Sequence, residues 1–239
     1  MKDKGKATLR GKLESLAKDM GTTYFGIADL APARQYISDQ GGEFLAQFPR
    51  ALSHGFILAD GIVDTLAYHK NIAALNTYWH YVYRIINPRI DSISLMLAQS
   101  LDEAGFRAFV VPASQTVDRT RLTGVLSHKL AAHLAGLGWI GKSALLITPE
   151  HGPRVRWGTV LTDAPLEAGT SLDEMCRDCD TCVTGCPAHA FTGQAFDKPG
   201  PRSEIFDAEA CHDYLQKREQ TRHKACGICV YICPYGRNK

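Results

Sequence analysis

The first 175 residues of this 239-residue chain contain no cysteine, so all thiol chemistry is confined to its last quarter. No apolar run approaches the roughly 20 residues that a helical bilayer span needs, which excludes such a span. The amino-terminal stretch "MKDKGKATLRGKLESLAKDMG" is basic but lacks the apolar core of a secretory signal. A cytoplasmic location is therefore expected. Neither charge sign dominates: 27 Lys and Arg stand against 25 Asp and Glu, a net charge of +2. Composition thus gives no strong pull toward nucleic acid or a membrane surface. Repeats of solenoid length and low-complexity tracts are also missing. What is there belongs to an ordinary globular protein, with 45% hydrophobic and 22% charged residues.

Helical and extended patterns alternate before the cysteines. Leu9, Leu13, Leu16 and Met20 predict an amphipathic first helix closed by Gly21. "TYFGIADL", "GFILADGIV" and "RAFVVPA" read as strands. "NPRIDSISLMLAQSLDEAG" reads as a helix capped by Asn87, with Pro88 in its first turn, Ile90, Ile93, Leu97 and Leu101 as its stripe, and Gly105 at its end. Segment 124 to 135 reads as another helix. "ALLIT" and "VRWGTVLTD" read as two strands joined by "PEHGPR". The fold class expected is α/β (α+β): an α/β domain over residues 1–168 and a small cysteine-rich domain over 169–239.

"GLGWIGKS", residues 136 to 143, satisfies two phosphate-loop patterns at once. Both require a strand entering the glycines and a helix leaving them. Here the order is helix, glycines, strand, so the plainer reading is a tight helix-to-strand turn.

"CRDCDTCVTGCP" places Cys176, Cys179, Cys182 and Cys186 at the spacing of the bacterial ferredoxin run, whose fourth cysteine serves the other of two clusters. "CGICVYICP" adds Cys226, Cys229 and Cys233, and Cys211 in "DAEACHDYL" is the eighth thiol. Two [4Fe–4S] clusters need eight thiolates. The assignment expected is Cys176, Cys179, Cys182 and Cys233 for cluster 1, and Cys186, Cys211, Cys226 and Cys229 for cluster 2. Disulfides would need an oxidising compartment, and zinc uses four ligands and would strand four cysteines. His189, His212 and His223 neighbour the clusters without being needed as ligands.

Taken in order, "GLGWIGKSALLI", "GTVLTD", the ferredoxin run, "CHDYL" and "CGICVYICP" resemble the epoxyqueuosine reductases and the related reductive dehalogenases. The resemblance is strong from about residue 124 onward and weak over residues 8 to 30. It implies a nitroreductase-like, mixed-sheet domain that binds cobalamin, followed by a two-cluster ferredoxin-like domain that feeds electrons to the cobalt. It also implies an oxidoreductase, with Gly138, Trp139, Gly141 and Lys142 against the corrinoid. An external low-potential donor of ferredoxin or flavodoxin type would supply the electrons. The nitroreductase likeness leaves flavin as the alternative cofactor. A module that only reduces a partner corrinoid protein is the alternative function.

Two departures set the substrate expectation. The family's aspartate proton donor falls here on Leu122, and the chain lacks the helical-repeat domain that helps hold tRNA. A small-molecule or protein substrate other than tRNA is therefore expected, with no nucleic acid and no membrane as partner. Another residue must then supply the proton. His128 and Lys129 precede the glycine turn, and each is able to titrate near neutrality in a buried site; the plain reading is an exposed helix face. Tyr81, in the aromatic run "TYWHYVYR", is a third candidate, against its plainer reading as a core aromatic.

Overall fold

The protein, described here in a computed structural model, is laid out over residues 8–218 and 225–237. In chain order its strands are β1 (Tyr24–Asp29), β2 (Arg50–Ile57), β3 (Ala108–Val111), β4 (Trp139–Ile140), β5 (Leu146–Ile147) and β6 (Val155–Thr162). Its helices are α1 (Leu9–Asp19), α2 (Arg34–Gly41), α3 (Glu43–Ala46), α4 (Asp60–Val63), α5 (Ile72–His80), α6 (Asn87–Glu103), α7 (His128–Leu134), α8 (Thr181–Thr184), α9 (Ala208–Gln216) and α10 (Ile228–Tyr231).

Four strands form one sheet in the order β1-β2-β6-β3. Every neighbouring pair is antiparallel, so the sheet is not the mixed one expected. Its two faces are both covered. On one, Leu13 and Ala17 of α1 and Ile93, Leu97 and Leu101 of α6 pack on Ile27, Leu52 and Val160. On the other, Leu130, Ala131 and Leu134 of α7 pack with Ile37 and Leu45 on Ala28, Ala51 and Leu161. The coarse expectation of a sheet layered between helices holds; residues 1 to 7 of the amino-terminal stretch lie outside the described residues.

Local readings differ from the structure at three places, each for a physical reason. The second strand begins at Arg50, not Gly55, and "ADGIV" turns into α4 instead. Ser53 and His54 obscured the strand, because both are polar yet fully buried, with His54 Nε2 2.9 Å from Ser94 Oγ. Burial pushes the His54 imidazole down to about 3, so it is neutral in the core.

Asn87 does not cap α6. The helix runs on from α5 through a π-helical turn at Tyr81–Ile86, and the Asn87 N–H donates to Val82 O. Pro88 cannot donate to the preceding turn, and a local slip of hydrogen-bond register accommodates that loss. Freed from capping, the Asn87 side chain accepts from Arg156 Nε at 3.0 Å. Finally, α7 starts only at His128, where the Ser127 hydroxyl accepts from Leu130 N–H, and β5 pairs with β4 rather than β6.

Candidate metal centres and the adjoining cavity

The cysteine-rich segment is built from three short helices, each placing its thiols by local spacing. Cys182 lies on α8, Cys211 on α9 and Cys229 on α10; Asp207 caps α9 by accepting from Ala210 N–H at 2.9 Å. The thiols sort into two groups by their mutual influence. Burial pushes Cys233 up to about 12, with Cys176, Cys182 and Cys179 adding to the rise. Burial pushes Cys182 to about 11, with Cys176 and Cys179 adding. In the second group burial pushes Cys229 to about 12 and Cys211 to about 11, with Cys226 and Cys186 adding to both. Cys233 thus feels the thiols of the first run, Cys211 those of Cys226 and Cys186, and Cys229 those of Cys226, Cys211, Cys186 and Cys182. A protein that crowds protonated thiols in this way favours a cation that takes them as thiolates. Among the described residues no three His, Cys, Asp or Glu side chains converge closely enough for a single ion; in a four-iron cluster the four thiolates bind separate irons. His189 and His212 are exposed, and His223 lies outside the described residues.

The glycine turn faces cluster 1. Gly136 closes α7 at φ 77°, as a tight turn requires. A Cβ on Gly141 would stand 3.0 Å from Cys176 Sγ, so only glycine lets this strand end approach the thiol so closely. Trp139, 1% exposed, packs edge-on to Tyr235 with ring centroids 4.8 Å apart. Burial raises the Cys176 thiol, and the nearby Trp139 indole N–H and Lys142 backbone N–H act against that rise. Without a cluster, Trp139 Nε1 is a buried donor lacking an acceptor within hydrogen-bond reach, and a cluster-bound sulfur there would satisfy it. Lys142 Nζ donates to Asp180 Oδ1 at 2.8 Å across to the start of α8. Of the four residues expected at a corrinoid, Trp139, Gly141 and Lys142 border the first cysteine run, Gly138 packs on Ile147, and none of the four borders the neighbouring cavity. In the sequence a close-approach glycine looks alike whether it admits a ligand or a thiol.

On the other side of the same segment lies a cavity of about 470 Å³, walled in part by Ile140, Ala144, Leu146, Val155 and Trp157. Trp157 Nε1 is a second buried donor without a partner. His128 and Lys129 line this cavity; Tyr81 does not, since its hydroxyl accepts from Ala59 N–H within the cluster of Leu58, Val63 and Leu66. The two α7 residues differ in what they offer. His128 has Nδ1 2.8 Å from Thr159 Oγ1 and donates from Nε2 to Pro112 O at 3.0 Å. Burial holds it down at about 4, so it is neutral and tied at both nitrogens. Lys129 donates to Ala144 O, and burial followed by the Arg202 charge lowers it to about 8.

Sequence reasoning missed Arg202, which comes from the cysteine-rich segment to line the cavity and donates to Leu122 O at 3.1 Å and Arg121 O at 2.6 Å. No local motif marks it. Leu122 is held in the left-handed region at φ 52°. Lys129 and Arg202 feel the charges of Cys229 and Cys211 respectively, so the cluster 2 thiols are the ones coupled to the cavity.

Residues 175–236 match the family described as 4Fe-4S double cluster binding domain. The chain is 36% identical over 119 residues to an epoxyqueuosine reductase of Listeria monocytogenes, covering 48% of this chain and 31% of that one. It is 30% identical over 206 residues to one of Synechococcus sp. strain CC9605, covering 78% and 58%. The matched stretches thus span less than two thirds of these relatives' length. Among solved structures, a catabolic reductive dehalogenase in complex with 3-bromo-4-hydroxybenzoic acid superposes with TM-score 0.72 at 20% identity, over 98% of this chain and 33% of that one. An epoxyqueuosine reductase with an epoxyqueuosine-modified tRNA-Tyr stem loop superposes with TM-score 0.59 at 18% identity, over 97% and 66%. Residues 175–236 are thus a double 4Fe–4S cluster domain, and the chain as a whole is epoxyqueuosine reductase-like and shares the fold of a reductive dehalogenase.

Proposed function

We propose that the protein is an oxidoreductase in which electrons pass from the two clusters to a corrinoid held at the 470 Å³ cavity. The observation that carries this reading is the segment Trp139–Leu146, which touches Cys176 with one edge and walls the cavity with the other. A solved reductive dehalogenase of the same fold is described as performing B12-dependent dehalogenation. A corrinoid, when bound, supplies a strongly reducing cobalt centre. Val111, Leu130, Ile140 and Trp157 offer it apolar walls, and the Trp157 indole N–H offers a donor. The division into an α/β unit over 1–168 and a cluster unit over 169–239 belongs to this proposal, as does a ferredoxin- or flavodoxin-type donor.

Lys129 is the residue we assign as proton donor. It lines the cavity, it is held by a neutral carbonyl, and its lowered pKa leaves a transferable proton near neutral pH. His128 orients the wall through Thr159 and Pro112. Tyr81 has no place in this scheme.

The expectation of a substrate other than tRNA finds no support. The curated relatives are named epoxyqueuosine reductases and a solved one holds a modified tRNA stem loop, so reduction of an epoxyqueuosine-bearing tRNA is the first activity to assay. The experiment is a titration of anaerobically purified, reduced protein with cobalamin, followed by single-turnover incubation with that stem loop. Stoichiometric cobalamin binding and conversion to the deoxygenated base are expected. Tight flavin binding with no response to cobalamin would overturn the corrinoid assignment.

A further inference from the structure

A second, smaller cavity of about 270 Å³ lies over the π-helical turn, bordered by Trp79, Tyr83, Arg84, Asn87, Asp91 and Ser114. Ser114 and its neighbours also border the main cavity, and Arg156, which lines the main cavity, reaches back to Asn87. The two spaces therefore adjoin. At their junction Trp79 and Tyr83 are stacked, with centroids 5.5 Å apart and planes 26° from parallel. Arg84 sits over the Trp79 ring at 5.4 Å, and Arg156 over the Tyr83 ring at 5.0 Å.

Three features show more than a packed aromatic pair. Tyr83 is 37% exposed and Arg84 is exposed, so the stack spends its planar surface at the protein boundary. Among the described residues neither arginine takes part in an ion pair. The carboxylate at hand, Asp91, accepts from Ala113 N–H at 2.8 Å. Two guanidinium groups thus flank two aromatic rings, and among the described residues bordering this cavity Asp91 is the single carboxylate set against them. The π turn that carries Tyr83 and Arg84 is a helix irregularity frequent at functional sites.

Resting on the reading of the main cavity as a reductive site, we infer that Trp79, Tyr83, Arg84 and Arg156 form an entry subsite for a flat aromatic group carrying an anion. Aromatic rings and guanidinium planes take such a group by stacking, and the excess of two guanidinium groups over one carboxylate takes its phosphate or carboxylate. A nucleotide unit and an aromatic acid share this chemistry. The subsite delivers the aromatic end of the substrate across Ser114 to the cavity where Lys129 stands.

The test is calorimetric titration of the full, cluster-bearing protein with guanosine 5′-monophosphate, 4-hydroxybenzoate and inorganic phosphate. At least one aromatic anion is expected to bind, and to bind more tightly than phosphate. Tyr83→Leu and Arg84→Gln should each weaken it by roughly tenfold, with thermal melts confirming that both variants fold. Preference for the nucleotide identifies a nucleic-acid substrate, and preference for 4-hydroxybenzoate identifies a small aromatic acid. Absence of binding by both, binding unchanged in both variants, or phosphate matching the aromatic anions would overturn the subsite. Lys129→Met should leave these affinities intact while stopping turnover, so failure of the reductive reading does not mask the result.

Discussion

Gly141→Ala tests what the glycine turn is for. The added methyl would stand 2.9 Å from Ile147 Cγ1 and 3.0 Å from Cys176 Sγ, where ordinary contact begins near 3.4 Å. Both neighbours must therefore retreat, Ile147 by about 0.5 Å and Cys176 by about 0.4 Å, the differences of 2.9 and 3.0 from 3.4. Ile147 is 1% exposed and paired with Trp139, so it has little room. Cys176 is fixed by its iron once the cluster is built. Overpacking of this kind costs about 1–3 kcal/mol, which for a chain of this size corresponds to a loss of roughly 2–12 °C in melting temperature. Iron and acid-labile sulfide should fall from about eight per chain toward four, and the reduced-state paramagnetic resonance should lose the cluster 1 signal. Gly61→Ala, at a helical position with nothing within 4 Å, is the neutral control. If Gly141→Ala keeps both clusters and its melting temperature but no longer binds cobalamin, the turn is a cofactor cradle after all and the present reading is wrong.

Cys233→Ser should remove cluster 1 although it lies in the second run, and Cys186→Ser should remove cluster 2; metal analysis with resonance spectra tells these from the opposite pairing. Lys129→Met should slow the proton-dependent single turnover by roughly 10²-fold, and the parent rate should fall as pH rises through about 8, where the lysine loses its proton. The fold depresses this lysine from 10.5 to about 8, so it penalises the charged form below pH 8 and the penalty disappears above 10.5. Methionine should therefore raise stability at pH 7 by at most about 3 kcal/mol, from 2.5 pKa units at 1.36 kcal/mol each, read as a higher melting temperature than the parent at pH 7 and an equal one near pH 11. Leu122→Asn relieves a left-handed backbone that costs leucine about 1–2 kcal/mol, and thermal melts should show a rise; an unchanged or lower melting temperature would mean that Leu122 packing outweighs the strain.

The metal centres were legible because their information is local. Two- and three-residue spacings set which thiols share a turn of chain, and the count of eight leaves no thiol over. The α1 and α6 stripes were legible for the same reason, each being one helical face repeating along its own segment. Where the reading failed, the deciding contact came from far away. Whether Gly141 admits a ligand or a thiol depends on Cys176, which folding brings within 3.0 Å of its missing Cβ. His54, polar in the sequence, is a core residue because α6 covers it with Ser94. His128 and Lys129 are neighbours on one helix and looked equivalent. Thr159 and Pro112 close both nitrogens of the first, while Arg202, from 73 positions beyond Lys129, adjusts the charge of the second. Spacing along the chain determined that two runs of thiols stand together; burial and long-range charge, which exist only after the sheet and the cluster segment have packed, decided that His128 is tied at both nitrogens while Lys129 borders the cavity with a lowered pKa.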